Sequence, residues 1–152
     1  NLHPPTMVED MVDPILKFPS DTVVVTGGEP LMWDMKFLTE SLKEKGLKTH
    51  LETSGSHQLS GDWDWICLSP KKFQKPLDAI KPLANELKII VKNKSDFKWA
   101  EQQKVGVSET CKLYLQPEWS SKEEMIPLII DYVMQNPKWQ ISLQTHKYLQ
   151  IP

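Results

Sequence analysis

The residues best suited to chemistry in this 152-residue chain stand at the ends of short apolar stretches. Val23-Val24-Val25 runs into Thr26, Gly27, Gly28 and Glu29, and Pro30 follows. Glu52-Thr53-Ser54, Ser69-Pro70-Lys71, Gln116-Pro117 and Gln144-Thr145-His146 occupy the same kind of position. Two adjacent glycines let the backbone approach a ligand with no Cβ in the way. A carboxylate and then a proline, which can begin the next segment, complete a flat, hydrogen-bond-rich floor for a small molecule. Glu86 and Lys88 interrupt another apolar run at alternating positions, so they share one face of it. Each group also has a plainer reading. The glycines serve a turn, Glu29 is a charge near a helix start, Lys88 is a buried cation paired with Glu86, and His146 is a hydrogen-bonded structural histidine. Their coincidence at strand ends favours a common site.

The elements that must position these groups follow from periodicity. Met7 to Phe18 has helical spacing, with Thr6 as N-cap, Glu9 at N3 and Pro14 as an interruption. Thr22 to Thr26 reads as a strand, and Asp34 to Lys45 as a helix capped by Asp34 and stopped by Gly46. Leu47 to Thr53 is the next strand, residues 56 to 62 are a polar loop, and Trp63 to Leu68 is a third strand. A short helical piece from Leu77 to Leu83 precedes the strand Glu86 to Val91. Ser95 or Asp96 caps a helix to Lys104, and Lys112 to Leu115 is a fifth strand. Ser120 or Ser121 caps a helix to Gln135, with Glu123 and Glu124 in its first turn, and Gln140 to Leu143 is the last strand. Strands this apolar predict a parallel sheet covered on both faces, hence an α/β fold. Parallel strands put their C-terminal ends on one rim, so the polar endings converge on a single mouth.

The totals narrow the function classes. The chain has the length of one domain, and residues 1–152 read as a single unit. A net charge of −2 with scattered basic residues gives no bulk attraction to nucleic acid. No apolar run approaches the roughly 18 residues that cross a membrane, and Asn1 to Pro5 lacks the regions of a secretory leader. The two cysteines, Cys67 and Cys111, lie within or beside apolar strands and read as buried thiols. Two distant cysteines do not by themselves ligate an iron–sulfur cluster. The tryptophans read as core and rim packing.

Thr26-Gly-Gly-Glu-Pro30 resembles the segment with which radical S-adenosylmethionine enzymes hold the methionine amino group. Glu52 to Gly55, Trp65 to Lys71, Asn85 to Lys88, Leu115 to Pro117 and Leu143 to Pro152 narrow the resemblance to the 7-carboxy-7-deazaguanine synthase family. It runs from Thr22 to Pro152. The resemblance implies a partial (β/α) barrel and conversion of 6-carboxy-5,6,7,8-tetrahydropterin to 7-carboxy-7-deazaguanine with loss of ammonia. It implies S-adenosylmethionine bound by Gly28, Glu29, Glu52, Ser69, Pro70, Lys71 and Gln116. Thr26 would face the pterin, and the carboxylate of Pro152 would meet the pterin N–H groups. It further implies a [4Fe–4S] cluster held by three cysteines, a magnesium ion, a cytoplasmic setting and a homodimer. The three-cysteine motif is not in these residues, so the expectation is a chain lacking the first β/α unit, with cluster and magnesium ligands upstream of Asn1, and inactive as it stands. The competing readings are a non-catalytic barrel for S-adenosylmethionine or another adenosyl ligand, and a structural or dimerisation module.

Overall fold

The computed structural model describes residues 6–151. Pro152, expected at the substrate, lies outside the described residues. Six strands form one all-parallel sheet in the order of the chain, β1 (Thr22–Val25), β2 (Lys48–Thr53), β3 (Trp65–Leu68), β4 (Glu86–Val91), β5 (Lys112–Pro117) and β6 (Trp139–Ile141). The outermost strands β1 and β6 do not pair with each other, so the sheet is a partial β/α barrel. Val and Ile favour the pleated, half-buried surface, which is why the β-branched runs sit where the sequence puts them.

One face of the sheet carries the core. Leu51, Ile66, Leu68, Leu87, Ile89, Val91, Leu113 and Leu115 are buried, and Ala100, Met125 and Ile129 from the covering helices pack with them. Those helices are α2 (Lys36–Glu44), α3 (Ser95–Lys104) and α4 (Lys122–Gln135), which connect β1 to β2, β4 to β5 and β5 to β6. Glu101 ties this layer together. It accepts hydrogen bonds from Tyr132 Oη at 2.8 Å and from the Nε1 of buried Trp139 at 2.6 Å. The opposite face is not the second apolar layer that the strand composition predicts. His50, Glu52, Trp65, Glu86, Lys88, Lys112, Tyr114 and Gln116 alternate with the core residues, and all but Gln116 are half-buried or exposed.

Several boundaries shift for identifiable reasons. α1 is shorter than the periodicity predicts (Val8–Ile15), with Pro14 in its final turn, and Met7 rather than Thr6 holds the N-cap position. Met35 replaces Asp34 at the N-cap of α2, although Asp34 Oδ1 still accepts the Lys36 N–H at 3.0 Å. Lys94, not Ser95 or Asp96, holds the N-cap position of α3, without a side-chain bond, and Asp96 in the first turn accepts the N–H groups of Lys92 and Asn93, which precede the helix. Ser121 does occupy the N-cap position of α4, without a side-chain bond. The helical piece at Leu77 to Leu83 is only a 3₁₀ turn at Lys81–Leu83, since Pro82 removes a backbone donor. β5 runs two residues beyond Leu115, and β6 starts at Trp139 and ends at Ile141. Thr145–Tyr148 forms a single-turn helix, α5, after the last strand.

Two crossovers carry no α-helix. The chain from Thr53 to Trp65 and the chain from Leu68 to Glu86 leave the C-terminal rim and cross to the start of the next strand as loops, the second with one 3₁₀ turn. Loops on a rigid rim are where binding groups are usually carried.

Candidate functional site

β1 hands the chain to a turn in which Gly27 has φ +88° and Gly28 φ +44°. A Cβ at either position would meet nothing within 4 Å. Backbone conformation, not crowding by the protein, is therefore what calls for glycine, and the free space above Gly28 belongs to a cavity. That cavity has a volume of about 250 Å³. Thr26, Gly28, Glu29, Glu52, Ser69 and Lys71 line it, all of them expected from the sequence. The helix-free crossovers add Ser54, Ser56, His57, Phe73 and Gln74.

Glu29 is the most constrained of these groups. It precedes the 3₁₀ turn Pro30–Met32 and accepts the Leu31 N–H at 3.2 Å. From the end of β2 it also accepts the Thr53 hydroxyl, the Ser54 N–H at 2.8 Å and the Ser54 hydroxyl. Burial pushes its carboxyl up, but the hydrogen bonds from Ser54, Thr53 and Leu31 outweigh that, and it is held below the usual carboxylate range. Four donors use all the acceptor positions of a carboxylate. What Glu29 offers a cation is therefore a fixed negative charge, with a vacant lone pair only when a hydroxyl swings away. Ser54 Oγ has such an alternative partner in Ser56 Oγ, 2.9 Å away.

The Glu52-Thr-Ser-Gly55 segment thus divides its work. Thr53 and Ser54 fix Glu29. Gly55 lets the loop lie against the core, where a Cβ would come within 2.5 Å of Leu68 Cδ1 and 2.9 Å of Ile80 Cγ2. Glu52 points to the polar face and pairs with Lys88 Nζ through both oxygens, at 2.6 and 2.7 Å. This corrects the plainer reading of Lys88: its partner is Glu52, not Glu86. Burial works against the Lys88 ammonium, but Glu52 and the nearby Glu86 raise its pKa overall. Glu86 instead accepts from Trp65 Nε1 at 3.3 Å and Cys67 Sγ at 3.4 Å.

The remaining expected residues separate. Ser69 continues the β2–β3 ladder by donating its N–H to Thr53 O at 2.7 Å, and it reaches the cavity with Lys71. Pro70 between them is buried and does not line it. Gln116 is buried within β5, where its Oε1 accepts the Ser142 hydroxyl at 3.2 Å, away from this cavity. Cys67 and Cys111 are buried free thiols. Burial pushes the Cys111 thiol up to about 11 and the Cys67 thiol higher still. Two enclosed thiols, one within β3 and one just before β5, do not make up the cysteine ligand set of an iron–sulfur cluster. The sequence reading missed His57, Phe73 and Gln74, whose loops carry no periodicity, and missed that Thr53 and Ser54 serve Glu29.

A partial parallel barrel whose rim brings together a glycine turn, a fixed carboxylate and a lysine around one cavity belongs to the class of β/α-barrel proteins with a ligand mouth at the C-terminal strand ends. No family model matches the chain. It is 55% identical over 151 residues to the 7-carboxy-7-deazaguanine synthase of Flavobacterium psychrophilum, covering 99% of this chain and 71% of that protein. It is 48% identical over 147 residues to the synthase of that name from Synechocystis, covering 97% of this chain and 70% of that protein. The crystal structure of QueE from Escherichia coli matches with a TM-score of 0.81 at 28% identity, over 91% of this chain and 64% of that one. The chain belongs to the 7-carboxy-7-deazaguanine synthase family, a family of enzymes.

Proposed function

We propose that this chain provides the S-adenosylmethionine and pterin side of a radical enzyme. The reaction converts 6-carboxy-5,6,7,8-tetrahydropterin to 7-carboxy-7-deazaguanine with loss of ammonia. The observation that carries the reading is charge placement: an ionised Glu29 and the exposed ammonium of Lys71 line one cavity above Gly28. An α-amino acid end needs that pair, an anion for its ammonium and a cation for its carboxylate. Bound there, S-adenosylmethionine supplies hydrogen abstraction from the pterin. Gly28 leaves its backbone groups accessible, Ser69 offers a hydroxyl, and the half-buried Glu52 is held toward the cavity by Lys88. Thr26 faces the second substrate from the same mouth.

Pro70 and Gln116 are assigned supporting roles, Pro70 by shaping the turn that carries Lys71. The two thiols take no part in cluster ligation. We therefore propose that the 152 residues alone do not assemble the cluster or turn over, and that magnesium likewise draws on ligands outside them. The reaction belongs to a cytoplasmic enzyme in this reading.

The test is an assay of the full-length protein under anaerobic, reducing conditions with the carboxytetrahydropterin and S-adenosylmethionine. Chromatography is expected to show the deazaguanine and equimolar ammonia, and a Thr26→Val variant is expected to lose pterin affinity while binding S-adenosylmethionine normally. Consumption of S-adenosylmethionine without any deazaguanine would contradict the reading.

A further inference from the structure

Lys71 and Lys72 are neighbours that do different things. Lys71 lines the cavity and begins a tight turn, closed by the Gln74 N–H donating to Lys71 O at 3.3 Å, with Gln74 also at the cavity. Lys72 turns away from it. Its ammonium donates to Asp96 Oδ1 on α3 and stands 5.7 Å from the centre of the Trp99 ring, also on α3. Asp96 is buried, with only 2% of its side chain exposed. Its other oxygen accepts the N–H groups of Lys92, at 2.7 Å, and Asn93, at 3.1 Å, where the chain leaves β4. Burial pushes the Asp96 carboxyl up, while Lys72 and those backbone donors more than reverse it, so the anchor is an ionised one.

From this arrangement we infer that the Lys72–Asp96 pair is a positioning device that holds the 71–74 turn, and with it the ammonium of Lys71, over the cavity. Lys72 touches no ligand. The bonds from Lys92 and Asn93 to Asp96 do not need it, because they are made to the other carboxylate oxygen. What Lys72 adds is a link between α3 and an exposed turn: Phe73 in that turn is 88% exposed. A long lysine side chain gains a single geometry only by such bonding. The inference rests on the proposed cavity for S-adenosylmethionine and names the element that sets its affinity for the carboxylate end.

A double-mutant cycle on the full-length protein tests it, read as the dissociation constant for S-adenosylmethionine by calorimetry. Lys71→Met is expected to weaken binding roughly tenfold and Lys72→Met roughly fivefold, the sizes of one lost and one loosened charge-assisted contact. Lys72→Arg keeps the charge and restores affinity. The double variant is expected to bind no worse than Lys71→Met alone. Thermal denaturation of Lys72→Met gives an independent check that the fold is intact. If Lys71→Met weakens binding while Lys72→Met does not, or if the Lys72→Met loss persists in full without Lys71, the positioning role is wrong and the cavity reading stands. If Lys71→Met itself has no effect, the cavity reading fails at its cation and the positioning role fails with it.

Discussion

The two faces of the one sheet are built from the same strands and follow opposite rules. Along β4, Leu87, Ile89 and Val91 are buried against helices, while Glu86, Lys88 and Ile90 between them face the other way and are half-buried. Along β2, Thr49, Leu51 and Thr53 alternate with His50 and Glu52 in the same manner. The first face removes apolar surface from water, the dominant favourable term in folding. The second keeps ions and aromatics in contact with one another: Lys88 with Glu52, Trp65 with Glu86, and the Lys112 ammonium 5.2 Å from the centre of the Trp65 ring. The lesson is that stability and chemistry are separable by single residue steps along a strand. Thr53 shows where they meet, since it is buried and also holds Glu29.

Mutations can break or sharpen this contrast. Leu87→Ala on the helix-covered face is expected to cost roughly 2–5 kcal/mol in denaturant unfolding, because a fully buried leucine leaves a cavity behind. A loss under about 1 kcal/mol would show that the face is not close-packed. Glu101→Ala is expected to cost roughly 1–3 kcal/mol, because it leaves Trp139 Nε1 and Tyr132 Oη without their acceptor. Lys88→Met is expected to destabilise by more than the double change of Lys88→Met with Glu52→Leu, since the single change strands a charge on a half-buried face. Equal losses would mean that water screens Glu52 fully.

Acid should act on both faces. The carboxyls of Glu29, Asp96 and Glu101 are all lowered in the folded chain. Their contribution is present above the ordinary carboxylate pKa of about 4 and is lost as pH falls through their folded values. Unfolding midpoints are therefore expected to hold from pH 7 to about 5 and drop below it, with a shallower drop in Glu101→Gln. The smallest effect on stability is expected at Gly28. Gly28→Ala puts a Cβ into open space at φ +44°, for a cost of roughly 1 kcal/mol, yet that methyl enters the cavity and should impair ligand binding.

The faces were unequally legible in the sequence. Apolar runs and their alternation located every strand, and the bounds of β4 matched residue for residue, with Glu86 and Lys88 marking which side chains share a face. The polar strand endings located most of the cavity, since parallel strands must end on one rim. Partners were another matter. Lys88 and Glu52 are 36 residues apart on strands separated by β3, so alternation put Lys88 on one face with Glu86 but did not reveal its partner. The donors to Glu29 are visible only once β1 and β2 are known to adjoin. Gln116 has the composition of a site residue but ends up inside β5, bonded to Ser142 rather than lining the cavity.

The central claim is that one end of one face binds S-adenosylmethionine. Backbone amide NMR shifts, mapped as S-adenosylmethionine is titrated into the full-length protein, test it most directly. Shifts are expected at Gly27 to Glu29, Thr53 to Ser56 and Ser69 to Gln74, with the helix-covered positions Leu113 and Ile129 unmoved. Shifts concentrated instead around Leu59, Leu77 and Leu83, which line a second cavity of about 280 Å³, or no saturable shifts at all, would contradict the account.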